Sequence, residues 1–233
     1  FTKNLIVFFY LYDKIFMGEN DMKTILFDLD GTLTDSKEGI LKSIQYALSC
    51  YGIEEGTENL GMFLGPPAHL AFQEFYGFSE EKAFEITNVF RKRYSEKGIY
   101  ENQIYDGIKE LLEKFHSDGI KLCVATSKPQ IYTDKILENF DIRKYFDIVI
   151  GSDLDGKLCN KSDIIAKVIE LGGYDKSECF MVGDRKYDII GAKENGIKSV
   201  AVLYGYGNME EFISSSADFI VEKVEDIYES ALF

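Results

Sequence analysis

The sequence predicts an α/β fold, a doubly wound parallel sheet with an all-helical cap inserted after its first strand. From residue 104 onward, short apolar runs alternate with amphipathic helical segments, which is typical of repeated strand–helix units. The apolar runs show no strict alternation, as expected of parallel strands buried on both faces. Residues 36–103 contain helical patterns and no convincing strand. We therefore predict a core domain of residues 22–36 and 104–233, and a cap domain of residues 37–103.

The size and charge of the chain exclude several classes of protein. Its 233 residues suffice for one α/β domain with a modest insertion, and 45% hydrophobic residues are typical of a globular chain. The net charge of −14 repels nucleic-acid backbones and anionic lipid surfaces, so we expect neither a nucleic-acid polymer nor a membrane as partner. An anionic small substrate stays possible where a metal, a lysine or a helix N-terminus inverts the local potential.

The cysteines favour a reducing compartment. The chain has four cysteines, none in a C-x-x-C pair, and only two histidines, so a Cys/His zinc site is not expected. Cys123 and Cys179 lie in apolar runs, where a buried thiol is the ordinary interpretation. We expect a cytoplasmic protein.

Residues 1–21 differ in character from the rest of the chain. Residues 5–12 have the length of a signal-peptide hydrophobic region, but no small-residue cleavage site follows them. Met17 and Met22 offer later starts. We expect this leader to be an extension outside the fold, with a packing or anchoring segment as the alternative.

Local patterns predict the first strand and two cap helices. Residues 24–29 are a short apolar run rich in strand formers. Asp35, with Glu38 three residues later, predicts a capping box that opens a helix ending at Gly52. Ser79 predicts the N-cap of a second, amphipathic cap helix.

The remaining elements belong to the core. Each predicted strand is a short apolar run, and each predicted helix carries an apolar stripe. Strands are predicted at residues 120–125, 147–150, 179–182, 199–203 and 219–221. Helices are predicted at residues 106–119, 129–140, 162–171, 187–195 and 224–231.

Polar side chains follow the ends of the predicted strands, where parallel sheets bind their ligands. The first strand runs into Asp28 and Asp30, and two carboxylates two residues apart on an extended chain point to the same side. Gly31 then permits the sharp exit that such a site needs. We expect both carboxylates at one edge of the sheet.

Two further strands contribute to the same edge. Thr126 and Ser127 precede a helix N-terminus, which is a natural position for a phosphate oxygen. Asp184 and Asp188 follow a later strand, and Lys161 begins the helix that leads into that strand. Clustered carboxylates repel each other, and a hard divalent ion such as Mg2+ relieves that repulsion. Carboxylates, a metal and a lysine are the components of phosphoryl transfer.

These residues resemble the four motifs of the haloacid dehalogenase (HAD) superfamily of phosphatases. The motifs are DLDGT at residues 28–32, Thr126, Lys161 and GDRKYD at residues 183–188, in the family's order. The resemblance covers the chain from residue 22 onward. Within the superfamily, the chain is most similar to the phosphoglycolate phosphatase-like subfamily, whose helical cap follows the first motif. This resemblance implies a Rossmann-like core, Mg2+ as cofactor and hydrolysis of a phosphate ester.

The resemblance also implies roles for single residues. Asp28 would be the nucleophile that forms an aspartyl-phosphate. Asp30 would be the acid that protonates the leaving alcohol and then the base that activates water. The implied metal ligands are Asp28, Asp30 through its backbone carbonyl, Asp184, and Asp188 directly or in support. The implied phosphate ligands are Gly31, Thr126, Ser127 and Lys161, the last of which would also pair with the nucleophile.

One departure concerns the lysine. The family's lysine is often followed by proline, but Ser162 follows Lys161 here, and Lys157 lies four residues upstream. We favour Lys161 because its distance to Asp184 suits one helix plus one strand.

The cap offers three candidate substrate residues. Pro66 lies in a predicted loop of the cap and His69 follows that loop, a location where substrate contacts are common. Arg93, late in a cap helix, has the charge to recognise a substrate anion, with an ordinary solvated face as the alternative.

We therefore expect a Mg2+-dependent phosphatase for a small phosphorylated metabolite resembling phosphoglycolate or a nucleoside monophosphate, in a monomer or homodimer. One alternative is a phosphomutase of the β-phosphoglucomutase type. The alternative from another class is a non-catalytic regulatory protein that binds a phosphate ligand. A dehalogenase is disfavoured because the family's dehalogenases lack the second aspartate, which Asp30 supplies here.

Overall fold

The core is a sheet of parallel strands, as predicted. The computed structural model describes residues 23–155 and 157–232, so the leader at residues 1–21 lies outside the described residues. The strands are β1 (Thr24–Phe27), β2 (Thr34–Asp35), β3 (Gln103–Ile104), β4 (Lys121–Pro129), β5 (Ile148–Ser152), β6 (Cys179–Gly183), β7 (Lys198–Val202) and β8 (Phe219–Val221). Six of them form the main sheet in the order β5-β4-β1-β6-β7-β8, and every neighbouring pair runs parallel.

Helices connect these strands. They are α1 (Lys37–Ser49), α2 (Ala68–Tyr76), α3 (Glu80–Glu96), α4 (Ile108–Ser117), α5 (Gln130–Asn139), α6 (Lys161–Gly172), α7 (Lys186–Asn195), α8 (Met209–Ser215) and α9 (Asp226–Leu232). Among the helices in the described ranges, none is long and apolar enough to cross a membrane.

The sheet is covered on both faces, which confirms the doubly wound prediction. Ile25 and Phe27 of β1 join a cluster with side chains of α4, α5 and α9. Leu26, between them, points to the other face and packs in a cluster with Ile164 and Val168 of α6. Because both faces are buried, these strands need continuous apolar runs rather than alternating ones.

Strand β1 is the point at which the winding direction reverses. It pairs with β4 on one side and β6 on the other, with Leu26 opposite both Cys123 and Met181. The connections therefore diverge from β1, which opens a crevice beyond its carboxyl end. The carboxyl ends of β1, β4 and β6, and the residues that follow β1 and β6, meet at this crevice.

The cap is the inserted segment that holds α1, α2 and α3. A two-stranded antiparallel ribbon joins it to the core, with Thr34 of β2 opposite Ile104 of β3. Ser79 caps α3 as predicted, because its side chain accepts a hydrogen bond from the backbone N–H of Lys82. The cap therefore leaves and re-enters the core at one place, directly after the residues that follow β1.

One local prediction about the first cap helix was wrong, and one cap helix was not predicted. Asp35 and Glu38 do not form a capping box: the N-cap of α1 is Ser36, and the Asp35 carboxylate accepts from the N–H of Lys37 instead. No element was predicted for the segment between Pro67 and Ser79; α2 begins there, because proline is compatible with a helix start, and Gly77 ends the helix in a left-handed conformation.

Candidate active site

The ammonium of Lys161 lies between two buried carboxylates at the centre of the crevice. Its Nζ is 2.8 Å from Oδ1 of Asp28 and 2.9 Å from Oδ1 of Asp188. It also donates a hydrogen bond of 3.1 Å to the backbone carbonyl of Ala125 in β4. Burial alone would lower the pKa of Lys161, but the two carboxylates raise it overall. The lysine therefore stays charged and neutralises part of the acidic cluster.

Asp184 follows β6 and, unlike Asp28 and Asp188, has no ion pair with Lys161. It is fully buried and its Oδ2 accepts a 2.7 Å hydrogen bond from the backbone N–H of Tyr206. Burial raises the pKa of Asp184 well above its ordinary value, and the charges of Asp188 and Asp28 raise it further. Burial also raises the pKa of Asp188 to about 6, with Lys161 opposing that shift.

Glycines permit the close packing around Asp184. Gly31 has a φ of +81°, and a Cβ there would lie 2.1 Å from Oδ2 of Asp184. Gly205 approaches from the other side, where a Cβ would lie 2.3 Å from the Asp184 Cβ. Side chains at these two positions would displace the carboxylate from the cluster.

The three carboxylates fit a divalent cation. Oxygen atoms of Asp28, Asp184 and Asp188 all lie within 4.8 Å of one another. One lysine partly offsets three buried acids, which leaves excess negative charge in a site made of oxygen donors. Such a donor set suits a hard ion such as Mg2+.

Asp30 lies at the same edge but has its own cationic partner. Its Oδ2 accepts from Nζ of Lys128 over 2.6 Å, while its Oδ1 is buried without a hydrogen-bond partner in the described part of the chain. The ammonium of Lys128 also lies 4.6 Å from the ring centroid of Tyr94 in the cap. Burial alone would lower the pKa of Lys128, but Asp30 and Tyr94 raise it overall. Asp30 and Asp28 therefore sit beside different lysines.

Thr126 and Ser127 occupy the irregular end of β4. The register with β5 shifts between Ala125 and Pro129, which releases the intervening residues from regular pairing. The Thr126 hydroxyl is buried and accepts from the N–H of Lys128, whereas the Ser127 hydroxyl donates to the carbonyl of Cys159. Both residues line the crevice beside Asp28.

The cap covers the crevice and turns it into a cleft. Asp28 and Asp30 line its core side, and Pro66 and His69 line its cap side. The ring of His69 stacks on Phe84 at a centroid distance of 4.7 Å. Burial lowers the pKa of His69, and the nearby Arg91 lowers it further, so the imidazole is neutral at physiological pH.

The prediction that Arg93 contacts the substrate is not supported by its position. Its guanidinium pairs with Glu101 at 2.9 Å and donates to the Ser43 hydroxyl at 2.8 Å, and it does not line the cleft. The residue two positions earlier, Arg91, does line it. On a helix these two residues point about 200° apart, so they lie on different faces of α3, and only the face of Arg91 lines the cleft.

Of the two candidate lysines, Lys161 is the one beside the acids. Lys157 pairs with Asp155 at the surface, and its side chain is 83% exposed. Lys161 lies at the first residue of α6, whose N-cap Asn160 accepts from the N–H of Ser162. A serine in place of the usual proline therefore leaves the helix start intact.

Sequence reasoning missed two functional candidates. Lys128 was passed over although it lies two residues after Thr126, the position at which β4 turns towards the crevice. Tyr206 lies between Gly205 and Gly207, in a stretch for which no role was predicted. Its backbone holds Asp184, and its hydroxyl donates to Asp35 and accepts from the N–H of Ser36, which ties this loop to the base of the cap.

Known proteins resemble this chain over most of its length. A model described as haloacid dehalogenase-like hydrolase matches residues 25–202. A 5'-nucleotidase of Pseudomonas aeruginosa is 43% identical over 188 residues, covering 80% of this chain and 85% of that protein. A phosphoglycolate phosphatase of Aquifex aeolicus is 30% identical over 207 residues, covering 88% of this chain and 95% of that protein. The crystal structure of a predicted phosphatase from Clostridium acetobutylicum is 43% identical with a TM-score of 0.88, covering 91% of this chain and 99% of that chain.

The parallel sheet, its inserted cap and the acidic crevice define an enzyme of the phosphoric monoester hydrolase class. The chain belongs to the haloacid dehalogenase-like hydrolase family, which confirms the resemblance of its motifs.

Proposed function

We propose that this chain is a Mg2+-dependent phosphatase that hydrolyses a small phosphomonoester through an aspartyl-phosphate on Asp28. The observation that carries the proposal is the position of Asp28 at the floor of the cleft. Its carboxylate is 2.8 Å from Lys161 and within 4.8 Å of oxygens of Asp184 and Asp188. A carboxylate that is paired with a lysine, lies beside acids that would hold a cation and lines a cleft is suited to attack an anionic phosphoryl group.

In the first half-reaction a carboxylate oxygen of Asp28 attacks phosphorus, and the bond from phosphorus to the leaving-group oxygen breaks. A proton passes from the carboxyl group of Asp30, acting as the general acid, to that oxygen, so the alcohol leaves neutral. Thr126 and the ammonium of Lys161 hold the phosphoryl oxygens during transfer. Lys128 positions Asp30 through their 2.6 Å contact.

In the second half-reaction Asp30, now a carboxylate, takes a proton from water. The water oxygen attacks phosphorus, and the bond from phosphorus to the Asp28 oxygen breaks. Inorganic phosphate leaves, and Asp28 returns to its carboxylate form. The cap limits the water that reaches the cleft, which favours this ordered use of a single water molecule.

Asp28, Asp184 and Asp188 would hold the Mg2+ ion, together with the backbone carbonyl of Asp30. The ion, when bound, supplies positive charge that offsets the charge developing on the phosphoryl oxygens. The residues of this chain fix its location: Lys161 orients Asp28 and Asp188, and the N–H of Tyr206 orients Asp184.

The test is phosphate release by the purified protein from a panel of esters: phosphoglycolate, nucleoside monophosphates, sugar phosphates and an aryl phosphate. Each is run with Mg2+, with a chelator, and with Asp28→Asn. Asp155→Asn is the matched control, because it removes an exposed carboxylate that pairs with Lys157 at the surface. We expect metal-dependent release that Asp28→Asn abolishes and Asp155→Asn retains.

The same panel distinguishes the alternatives. A phosphomutase would convert a sugar phosphate into its isomer with little free phosphate. A non-catalytic protein would bind an ester and release nothing, which would contradict the proposal. The names of the relatives support phosphoglycolate and nucleotides as the first esters to compare.

A further inference from the structure

We infer that one face of the cap helix α3, formed by Thr87, Arg91 and Tyr94, binds a second anionic group on the substrate. The preferred ester would then carry a carboxylate or a further phosphate on its leaving group. This inference rests on the proposed function and deepens it, because it specifies the part of the substrate that is not transferred.

The three residues share one face of the helix. They are four and three residues apart, a spacing that aligns side chains along a helix. All three line the cleft that also holds Asp28 and Asp30. The face is therefore opposite the groups proposed to act on phosphorus.

Two of these side chains have buried polar atoms that the protein does not satisfy. The Thr87 hydroxyl and the Tyr94 hydroxyl are inaccessible to solvent and have no hydrogen-bond partner among the described residues. The Lys128 ammonium lies near the Tyr94 ring, 4.6 Å from its centroid, but makes no hydrogen bond of normal geometry with that hydroxyl. Buried hydroxyl groups are almost always hydrogen-bonded, so two unsatisfied ones facing a cleft indicate a missing ligand.

Arg91 adds a positive charge without an acidic partner. Its side chain is half-buried, and within the described ranges no carboxylate lies within ion-pair distance of it. Burial lowers the pKa of Arg91, which reflects the cost of this unpaired charge. In a chain with a net charge of −14, a half-buried arginine left unpaired in a cleft is a strong sign of an anionic ligand.

Arg93, on the same helix, has a carboxylate partner. It pairs with Glu101 through two hydrogen bonds of 2.9 and 3.2 Å. The lack of a partner for Arg91 is therefore a property of the cleft face and not of the whole helix.

The order of the residues along α3 limits the length of the leaving group. Tyr94 lies beside Lys128, the partner of Asp30, so it is nearest to the proposed proton donor. Arg91 is three residues away, which corresponds to about 5 Å along the helix axis. The second anionic group therefore lies only a few bonds from the ester oxygen, as in a phosphorylated two- or three-carbon acid. A planar guanidinium binds carboxylate or phosphate oxygens in a bidentate manner.

The test compares phosphoglycolate with ethyl phosphate, which replaces the carboxylate by a methyl group. Ethylene glycol bisphosphate carries a –CH2–O–phosphate group in place of the carboxylate and tells the two anion types apart. We expect kcat/KM to be about 10- to 100-fold higher for the preferred anionic ester than for ethyl phosphate. Arg91→Met should reduce kcat/KM for the anionic ester to the value measured with ethyl phosphate. Tyr94→Phe, which keeps the ring, should raise KM for the anionic ester about 10-fold.

Lys92→Met is the matched control, because Lys92 is the exposed neighbour on the same helix and carries the same charge. It should keep the full preference. Equal kcat/KM for all three esters, or a preference that survives Arg91→Met, would overturn the inference while hydrolysis itself upholds the proposed function. Efficient turnover of nucleoside monophosphates without dependence on Arg91 would overturn it as well.

If no ester is hydrolysed, the proposed function fails, and calorimetric binding by the unmodified protein tests the face alone. Binding of phosphoglycolate or the bisphosphate that Arg91→Met weakens about 10-fold would uphold an anion site on α3. Equal binding by the two proteins, or none, would reject it.

Discussion

The ammonium of Lys128 contacts Asp30 and the ring of Tyr94 at the same time, which joins a core carboxylate to the cap. Its Nζ is 2.6 Å from Oδ2 of Asp30 and 4.6 Å from the Tyr94 ring centroid. A buried lysine in this position is suited to orient the proposed acid. It lies within β4, at the end where the register with β5 shifts.

Lys128→Met should lower kcat by about 100-fold, at the lower end of the usual contribution of general acid–base catalysis. The reason is that Asp30 would lose the group that orients it. Lys144→Met is the control, because Lys144 pairs with Asp141 at the surface. Steady-state kinetics on the best ester of the panel measures both, and an unchanged kcat in Lys128→Met would contradict the positioning role.

Lys161→Met should abolish most activity, whereas Lys157→Met should not. Removing Lys161 leaves Asp28 and Asp188 without their shared cation, and we expect a loss of about 10²- to 10³-fold in kcat. In metal-free buffer it should also destabilise the fold by about 3–5 kcal/mol. Lys157→Met should stay within about 0.5 kcal/mol of the parent protein. Kinetics and chemical denaturation measure both variants. Equal effects of Lys161→Met and Lys157→Met would refute the assignment of Lys161 as the active-site lysine.

Metal binding should depend on pH through Asp188. Its pKa is raised to about 6 from an ordinary 3.8, so the metal-free fold binds a proton that the unfolded chain releases. Stability of the metal-free protein should therefore fall as pH rises from about 4 to 6. Adding Mg2+ above pH 6 should restore it, because the ion requires the deprotonated acid.

Melting temperatures with chelator and with Mg2+, measured across this pH range, test the expectation. Asp188→Asn is the comparison, since it cannot titrate. If the parent protein and this variant show the same slope of stability against pH, the shift attributed to Asp188 is wrong.

Gly31→Ala should cost more stability than Gly52→Ala. Both glycines have positive φ, +81° and +73°, so both substitutions bear the same backbone penalty of about 1–2 kcal/mol. A Cβ at Gly52 meets open space, but at Gly31 it would lie 2.1 Å from the Asp184 carboxylate. Gly31→Ala should therefore also weaken Mg2+ binding. Denaturation and metal titration measure the two effects, and matching losses in both variants would show that the contact with Asp184 is unimportant.

The sequence was sufficient for the sheet because its strands carry apolar runs that only a doubly covered sheet can bury. It was also sufficient to bring Asp28, Lys161 and Asp184 to one edge, since the two acids follow strands of that sheet and the lysine begins a helix that connects two of them. These predictions require only the order of strands and helices along the chain, because residues at the carboxyl ends of parallel strands meet at one edge of the sheet.

The errors arose where the direction of a side chain decides the outcome. Arg91 and Arg93 have the same chemistry and differ only in the helix face that they occupy, which the cap's packing sets. The N–H of Tyr206 reaches Asp184 from 22 residues away, through a loop without a distinctive pattern. Such contacts depend on tertiary structure, and one sequence does not specify them.

The most direct test of the account is to trap the covalent intermediate. The protein is mixed with Mg2+ and its best ester, quenched in acid within one turnover, reduced with borohydride and digested for mass spectrometry. We predict that Asp28 is converted to homoserine, the product of reducing an aspartyl-phosphate, and that chelator prevents this conversion. Turnover with no modified residue, or with the modification on Asp30, would contradict the mechanism.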